Sequence, residues 1–264
     1  MRGSLRRLTI ERLGRIDQIL LADHFFSPDL TRRTPDQPPI HDGASPPEPA
    51  IILVQASLQS AQADDAIRRA NQVTVVGCAD SFWQLSDRGA RPRKTPQGRQ
   101  IVLNEPLAQR LRVNRGDRIV LRLGKVSGIA QDGTLARKSD LTRNLAGLEV
   151  VDIVPAEGLG RFSLRPNQAL PRNAYLPLET LQQSLGQPDK VNALLFAHRS
   201  GDRAPAAASS EWLRRSISPT VEDAGLRLKR VVATYRDSSA AEPQRAFEYF
   251  NLTTDRMLIS EASE

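Results

Sequence analysis

The sequence predicts an α+β fold, and three observations carry that prediction. Short apolar runs with strand character, such as Val73 to Ala79 and Val191 to Ala197, recur along the whole chain. Helical patterns are few and short. Strands and helices follow one another without the steady βαβ rhythm of a doubly wound sheet, and no internal repeat is present. At 264 residues with 39% hydrophobic and 25% charged residues, the chain can bury a sizeable core and is far from a disordered composition.

Taken in order, Ser4 as N-cap with Leu5, Leu8 and Leu13 describes a short amphipathic helix that Gly14 ends. The next strand has apolar residues on both parities, Ile19, Leu21 and Phe25 against Leu20, Ala22 and Phe26, which predicts a central strand rather than an edge. Seven of the eighteen prolines lie between Pro28 and Pro49, a stretch expected to hold no helix and join no ladder. Strands are expected at Ile51 to Leu58 and Val73 to Ala79, then a helical turn at Ser81 to Leu85. The polar Ser86 to Arg99 stretch is the candidate lobe boundary.

A compact unit follows: a strand from Ile101, a helix with Pro106 in its first turn, a Gly116-Asp117 turn, and a strand with Ile119, Leu121 and Leu123 inward. A polar connection from Gly124 to Gly147 leads to a strand, Leu148 to Val154, closed by Pro155. After an irregular Gly158 to Arg172 come a strand at Asn173 to Leu176, a helix at Leu178 to Leu185 ended by Gly186, and a strand at Val191 to Ala197. A helix is expected at Ser209 to Asp223, with Trp212, Leu213 and Ile217 on one face, then strands near Leu226 to Thr234 and Phe247 to Leu252.

Composition narrows the function classes. The formal charge of +7 is carried mainly by arginine, since lysine occurs only at positions 94, 125, 138, 190 and 229. The arginines are scattered in isolated pairs and aromatics make up only 5% of the chain, so the clustered basic and stacking surface of a nucleic-acid binder is not expected. No apolar run is long enough to span a bilayer, and after the basic start MRGSLRR the charges at Glu11, Arg12, Arg15 and Asp17 interrupt any signal-peptide core. The single cysteine, Cys78, sits in an apolar run as a small buried residue and forms neither disulfide nor metal cage.

Catalytic groups do not converge in the sequence. His24 lies in a strand, His41 in the proline-rich loop and His198 at a strand end, with no nucleophile elbow, zinc-binding histidine pair or Ser-x-x-Lys element beside them. Gly158-Leu-Gly160 lacks the third glycine of a dinucleotide fingerprint and reads as a flexible loop; no P-loop occurs, so any ATP must be used by a partner. Asp64-Asp65 and Asp152 with Glu157 read as surface carboxylates rather than metal or acid–base pairs. No cofactor, metal or catalytic residue is predicted.

Four segments in one order carry a resemblance: Val73 to Leu85 (VTVVGCADSFWQL), Leu103 to Asp117, Leu148 to Val154 (LEVVDIV), and Asn173 to Leu181 (NAYLPLETL). Together they resemble the MacB-like periplasmic core domain of FtsX-type ABC transporter permeases. Gly3 to Phe26 resembles the segment after the first membrane helix of such permeases, and Asn192 to Leu195 and the Trp212 helix continue the likeness. The resemblance implies an α/β lobe from residues 1–90 and 173–264 with a β-rich lobe, 91–172, inserted. It further implies an extracytoplasmic position, anchoring by membrane helices outside this stretch, and a non-catalytic role in passing ATP-driven motion to substrates or partner proteins. The partners so implied are the membrane-embedded part of the same permease, a separate ATPase subunit and an extracytoplasmic protein, with no nucleic acid. The proline-rich loop, the 124–147 connection and the tail after Tyr235 depart from the pattern.

Within this frame Phe162, Arg165 and Arg172 are expected to face a partner, because exposed arginine and aromatic residues favour interfaces; the alternative is that they pack the junction between lobes. Two other classes remain in view. A hydrolase would show two facing acids about 5 to 10 Å apart in a cleft. A basic nucleic-acid module would bind DNA with steep salt dependence.

Overall fold

The computed structural model describes residues 12–31, 46–60, 67–86, 91–124, 142–164, 169–197, 217, 219–223, 226–235 and 244–254. Ten strands and two complete α-helices lie among them, besides the helical residues 12–13: β1 (Ile16–Phe26), β2 (Glu48–Ser60), β3 (Arg69–Cys78), β4 (Gln100–Asn104), α1 (Glu105–Leu111), β5 (Arg118–Gly124), β6 (Thr142–Val154), β7 (Asn173–Pro177), α2 (Leu178–Leu185), β8 (Val191–Ala197), β9 (Leu226–Tyr235) and β10 (Gln244–Thr254). The α+β expectation holds. The predicted spans of α2 and β8 coincide with the observed ones.

Eight strands form one sheet in the order β1-β8-β2-β3-β7-β4-β6-β5, and β2 pairs with β5 as well. That extra pairing closes β2, β3, β7, β4, β6 and β5 into a ring. All six strands send side chains into one apolar cluster, among them Ile51, Val75, Leu103, Leu121, Val150 and Leu176, which places this cluster inside the ring. Leu107, Ala108 and Leu111 of α1 and Leu181 of α2 complete it. The opposite parity, including Ile52, Val76, Val102 and Tyr175, builds a second cluster beneath Phe82 and Trp83.

Local chemistry explains the helices. Asn104 caps α1 by accepting from Leu107 N at 3.3 Å, and Pro106 occupies the first turn, where its missing N–H costs nothing. Gly186, at φ 68°, ends α2 in the left-handed conformation that a side chain would resist. At Gly77 a Cβ would stand 2.8 Å from Leu181 Cδ2, so the bare backbone of β3 lets α2 sit close.

β2 makes the ring possible. Along one edge it pairs with β3; along the other, Glu48–Ala50 pair with β8 and Ser57–Ser60 with β5. Register shifts fall between Leu53 and Ala56 and between Ala56 and Leu58, the second facing Gln72 at φ 56°, and the inward parity changes from Ile51 to Ala56 and Leu58, and from Val75 and Val73 to Ala70. Bulges of this kind bend a strand so that one strand can serve two neighbours.

Several expectations are corrected. β1 is an edge strand, not a central one: among the described residues it pairs with β8 alone, and Leu21 is 48% exposed. Its two apolar parities reflect cover on both faces, with Ile16 and Ile19 in one cluster and Leu20 and Ala22 against Phe26, Leu30 and Val191 in another. Burial of the faces says nothing of the hydrogen-bonding edges.

Pro49 lies inside β2 opposite Leu194, at a stretch where β3 does not yet reach, so no ladder bond needs its missing N–H. Pro28–Thr31 form a 3-10 turn, and residues 32–45 lie outside the described residues. β6 starts at Thr142, inside the stretch expected to be a connection, with Gly147 at φ 71° beside a register shift. Of the helix expected at Ser209 to Asp223, residues 209–216 and 218 fall outside the described set; Ile217 and 219–223 are not helical.

The expected lobe boundaries at 91 and 172 are not breaks in the sheet. β4 from within that stretch pairs with β7, and β5 with β2, both from outside it. β9 and β10 form a separate two-stranded antiparallel ribbon.

Candidate functional site

The 158–172 stretch, expected to be partner-facing, is clamped from below by three buried side chains. Asn104 Nδ2 donates to Gly160 O at 2.9 Å and to Pro171 O at 2.7 Å, while its Oδ1 accepts from Asn173 N at 3.0 Å. Asn173 Nδ2 donates to Phe162 O at 2.8 Å, and the Tyr175 hydroxyl donates to Leu159 O. Burial pushes that phenol well above the ordinary tyrosine range, so it stays a neutral donor. Gly158–Arg161 is a 3-10 turn, and a Cβ on Gly160 would lie 2.0 Å from Pro155 O. This is a packed turn and not the flexible loop that Gly158-Leu-Gly160 suggested.

Phe162 is corrected as a partner-facing residue. It is fully buried, with its ring 6.0 Å edge-on from Phe82, in a cluster where Trp83 lies 4.8 Å from Tyr175. An aromatic side chain beside a pair of 3-10 turns gains more from that apolar bed than from water, which is the packing alternative. Arg165 lies outside the described residues. Arg172 is half-buried: its backbone carbonyl accepts from Thr74 N at 2.9 Å and its guanidinium donates to Asn71 O at 3.1 Å. These contacts fasten the strand entry to β3.

Among the described residues the remaining chemical groups do not converge on a reaction centre. His24 sits between Asp23 Oδ1 at 2.8 Å and Asp223 O at 2.6 Å, with both ring nitrogens committed to acceptors. His41 and His198 lie outside the described residues, as do Asp64 and Asp65. Asp152 is buried and held by Arg115 Nε at 2.6 Å, Arg93 N at 2.5 Å and Ile153 N at 2.9 Å, which makes it a structural anchor rather than a surface carboxylate. Cys78 is buried and its thiol is pushed far up, first by desolvation and then by the charges of Glu48 and Asp80, so it is no nucleophile. Among the described residues no group of three His, Cys, Asp or Glu side chains is placed to hold a metal.

Two features escaped the sequence reading. Glu48 is buried at the start of β2, where desolvation raises its carboxyl above the usual range against the lowering effect of the Ser81 hydroxyl at 2.9 Å. Its position among prolines gave no sign of burial. The second is the β9–β10 ribbon, whose strands were expected but whose apolar groups stand in solvent: Phe247 and Phe250 are 57% and 63% exposed. The clustered pattern of LRLKRVV against FEYFNL was the available signal.

No protein-family model and no curated protein matches the chain. Among solved structures it is similar to the periplasmic region of MacB from Actinobacillus actinomycetemcomitans, at 12% identity over 72% of this chain and 73% of that one, with a TM-score of 0.40. It is also similar to the extracellular domain of the ABC-type transporter YknZ from Gram-positive bacteria, at 11% identity over 76% and 97% of the two chains, with a TM-score of 0.37. A third similar structure is a domain of a permease protein from Porphyromonas gingivalis, at 12% identity over 77% and 83%, with a TM-score of 0.37. No described helix is long and apolar enough to cross a membrane.

Proposed function

We propose that this chain is the extracytoplasmic domain of an ABC transporter permease of the MacB and FtsX kind. In this reading it has no catalytic role and passes on motion driven by ATP hydrolysis in a separate subunit. The observation that carries the reading is where the four ordered segments go. Val73 to Leu85, Leu103 to Asp117, Leu148 to Val154 and Asn173 to Leu181 become β3 with its 3-10 turn, β4 to α1 to the turn before β5, β6, and β7 with α2. Segments far apart in sequence thus supply four of the six ring strands, as expected if their shared order specifies one fold.

The mechanical form of the proposal follows from the ring. A hydrogen-bonded loop of six strands around one apolar cluster resists internal shear, because sliding one strand disturbs two ladders and the packing between them. Motion imposed from the membrane is therefore passed on by displacement of the sheet as a body, with residues 91–172 moving together with the strands on either side. The buried groups fit this role: Asp152, Asn104, Asn173 and Tyr175 fasten connections to strands and leave no acid, base and nucleophile facing one another.

The test is made on the protein encoded by its full gene. An alkaline phosphatase fusion at an exposed turn of this chain is expected to be active, reporting an extracytoplasmic position, and a nucleotide-hydrolysing subunit is expected to co-purify in detergent. An inactive fusion whose cytoplasmic fluorescent-protein counterpart is bright would overturn the proposal.

A further inference from the structure

Charge is spread unevenly over the fold. Residues 91–118 hold eight basic side chains against Glu105 and Asp117, a net of +6 where the whole chain carries +7. β6 brings two more acids to this region, Glu149 and Asp152, and the balance is still +4. More than half of the net charge therefore belongs to one part of the ring.

The geometry gathers these cations along β6, which lies between β4 and β5. Two segments converge on Asp152: the chain entering β4 gives Arg93 N at 2.5 Å, and the turn entering β5 gives Arg115 Nε at 2.6 Å. About 10 Å back along the strand, Arg118 opposes Glu149 across the β5–β6 ladder, and Arg99 O accepts from Glu149 N at 3.0 Å. Ile101 and Ile119 point into the ring, so Arg118 and Glu149, which share a face, lie on its outer wall. Arg91, Arg93, Arg99, Arg115 and Arg118 are all exposed there.

Three of these guanidinium groups are already held in place. Arg91 Nε donates to Trp83 O at 3.1 Å, Arg115 Nε to Asp152, and Arg99 Nη2 to Ala146 O. A bond through Nε leaves both Nη nitrogens of Arg91 and Arg115 for an end-on pair with a second carboxylate. Arginines fixed in this way lose less rotamer freedom on binding than mobile ones. Asp152 does not compete, because it is buried and already accepts from Arg93 N, Arg115 Nε and Ile153 N.

The surroundings select the occupant. Among the described residues the exposed aromatic rings stand on the β9–β10 ribbon, so this wall offers a nucleic acid nothing to stack on. No large apolar side chain of residues 91–124 or 142–164 is exposed among those described, so a bilayer finds no apolar anchor. What remains is a carboxylate-bearing polypeptide. Arg91 and Arg93 are two residues apart, at most about 7 Å, and Arg93 shares Asp152 with Arg115. Alternate side chains of an extended segment repeat at about the same distance.

We infer that the outer wall of β6 docks an extended acidic segment of a partner protein, with carboxylates two residues apart on Arg91 and Arg115. This inference stands independently of the transporter reading, because it is tested on the purified chain alone.

The experiment is fluorescence anisotropy of a labelled eight-residue peptide of alternating Asp and Thr, titrated with the purified 264-residue chain. Binding is expected, weakened by salt, and absent for the same peptide with Asn in place of Asp. The double variant Arg91→Gln with Arg93→Gln leaves the Arg115–Asp152 pair intact and is expected to bind about tenfold more weakly. Arg227→Gln with Lys229→Gln removes the same charge from the ribbon and is expected to bind like the parent. Should the first variant misfold, Arg118→Gln takes its place, with a smaller loss of the same sign. Absent binding, equal binding of the Asn peptide, or an equal loss in the ribbon variant overturns the inference. So does tighter binding of oligothymidylate, or of phosphatidylglycerol vesicles, with the same dependence on Arg91 and Arg93, which would assign the wall to nucleic acid or to lipid.

Discussion

The ring and the ribbon are both antiparallel-rich β-structure from one chain, yet they use their apolar residues in opposite ways. In the ring, Ile119, Leu121 and Leu123 of β5 alternate inward and are at most 1% exposed. In the ribbon, Leu228 and Leu252 face each other across the strands and are both about half exposed, at 55% and 54%. Each ring strand has two neighbours and α1 and α2 add side chains to the cluster they enclose, whereas among the described residues β9 and β10 have only one another. Alternation therefore signals a strand but does not by itself signal a core: the second layer decides, and the ribbon has none among the described residues.

That contrast can be broken most directly at Leu121. Leu121→Ala removes buried methyl groups from inside a closed ring that cannot collapse on the gap, and is expected to cost about 2–5 kcal/mol in denaturant unfolding. A loss no larger than that of a surface change would mean the ring is not the stabilising unit. Gly160→Ala is expected to cost about 1–3 kcal/mol, since the new Cβ collides with the Pro155 carbonyl and the turn must shift against its three clamps. An unchanged melting temperature would show that this turn is loose after all.

Glu48 gives a smaller effect with a defined sign. Its folded-state carboxyl is raised, chiefly by desolvation, so the native chain holds a proton that the unfolded chain has released. The Glu48 contribution to stability is therefore greatest below the ordinary carboxylate range and falls as pH rises from about 4 through the raised value. Glu48→Gln should flatten that fall; parallel melting-temperature curves for both proteins would contradict it. The smallest effect is expected in the ribbon, where Leu252→Ser should change stability by less than about 0.5 kcal/mol. A large loss would show that the ribbon is packed against something in solution.

Much of this division was legible in the sequence. The inward residues of β5, the proline and glycine at the ends of α1 and α2, and β8 entire follow from short-range rules of capping and alternation. Gly124 to Gly147 read as a connection because the Thr142–Gly147 part of β6 carries Arg143, Asn144 and Gly147, and only its pairing with β5 makes it a strand. The edge position of β1 was not legible either, since its parities record the cover on its faces and not which strand lies beside it. The same limit applies to Phe162: an aromatic in an irregular stretch can face out or in, and the choice was made by Phe82, eighty residues earlier in the chain. The division into lobes at 91 and 172 came from the family resemblance, with the polar Ser86 to Arg99 stretch as candidate boundary, and polar composition marks loops but not the closure between β2 and β5.

The central claim is that the sheet moves as one body while ATP is hydrolysed elsewhere. It is tested by pulsed electron–electron distance measurement on the protein encoded by the full gene together with the ATPase subunit the proposal assigns to it, with spin labels at Leu21→Cys on β1 and Glu149→Cys on β6. Both positions are exposed and lie far apart in the sheet, and buried Cys78 with its raised thiol does not compete for the label. The account predicts one distance distribution, unchanged between nucleotide-free, ATP-bound and hydrolysing states, while the distance from either label to the ATPase subunit changes. A nucleotide-dependent shift between the two labels within the sheet would contradict it.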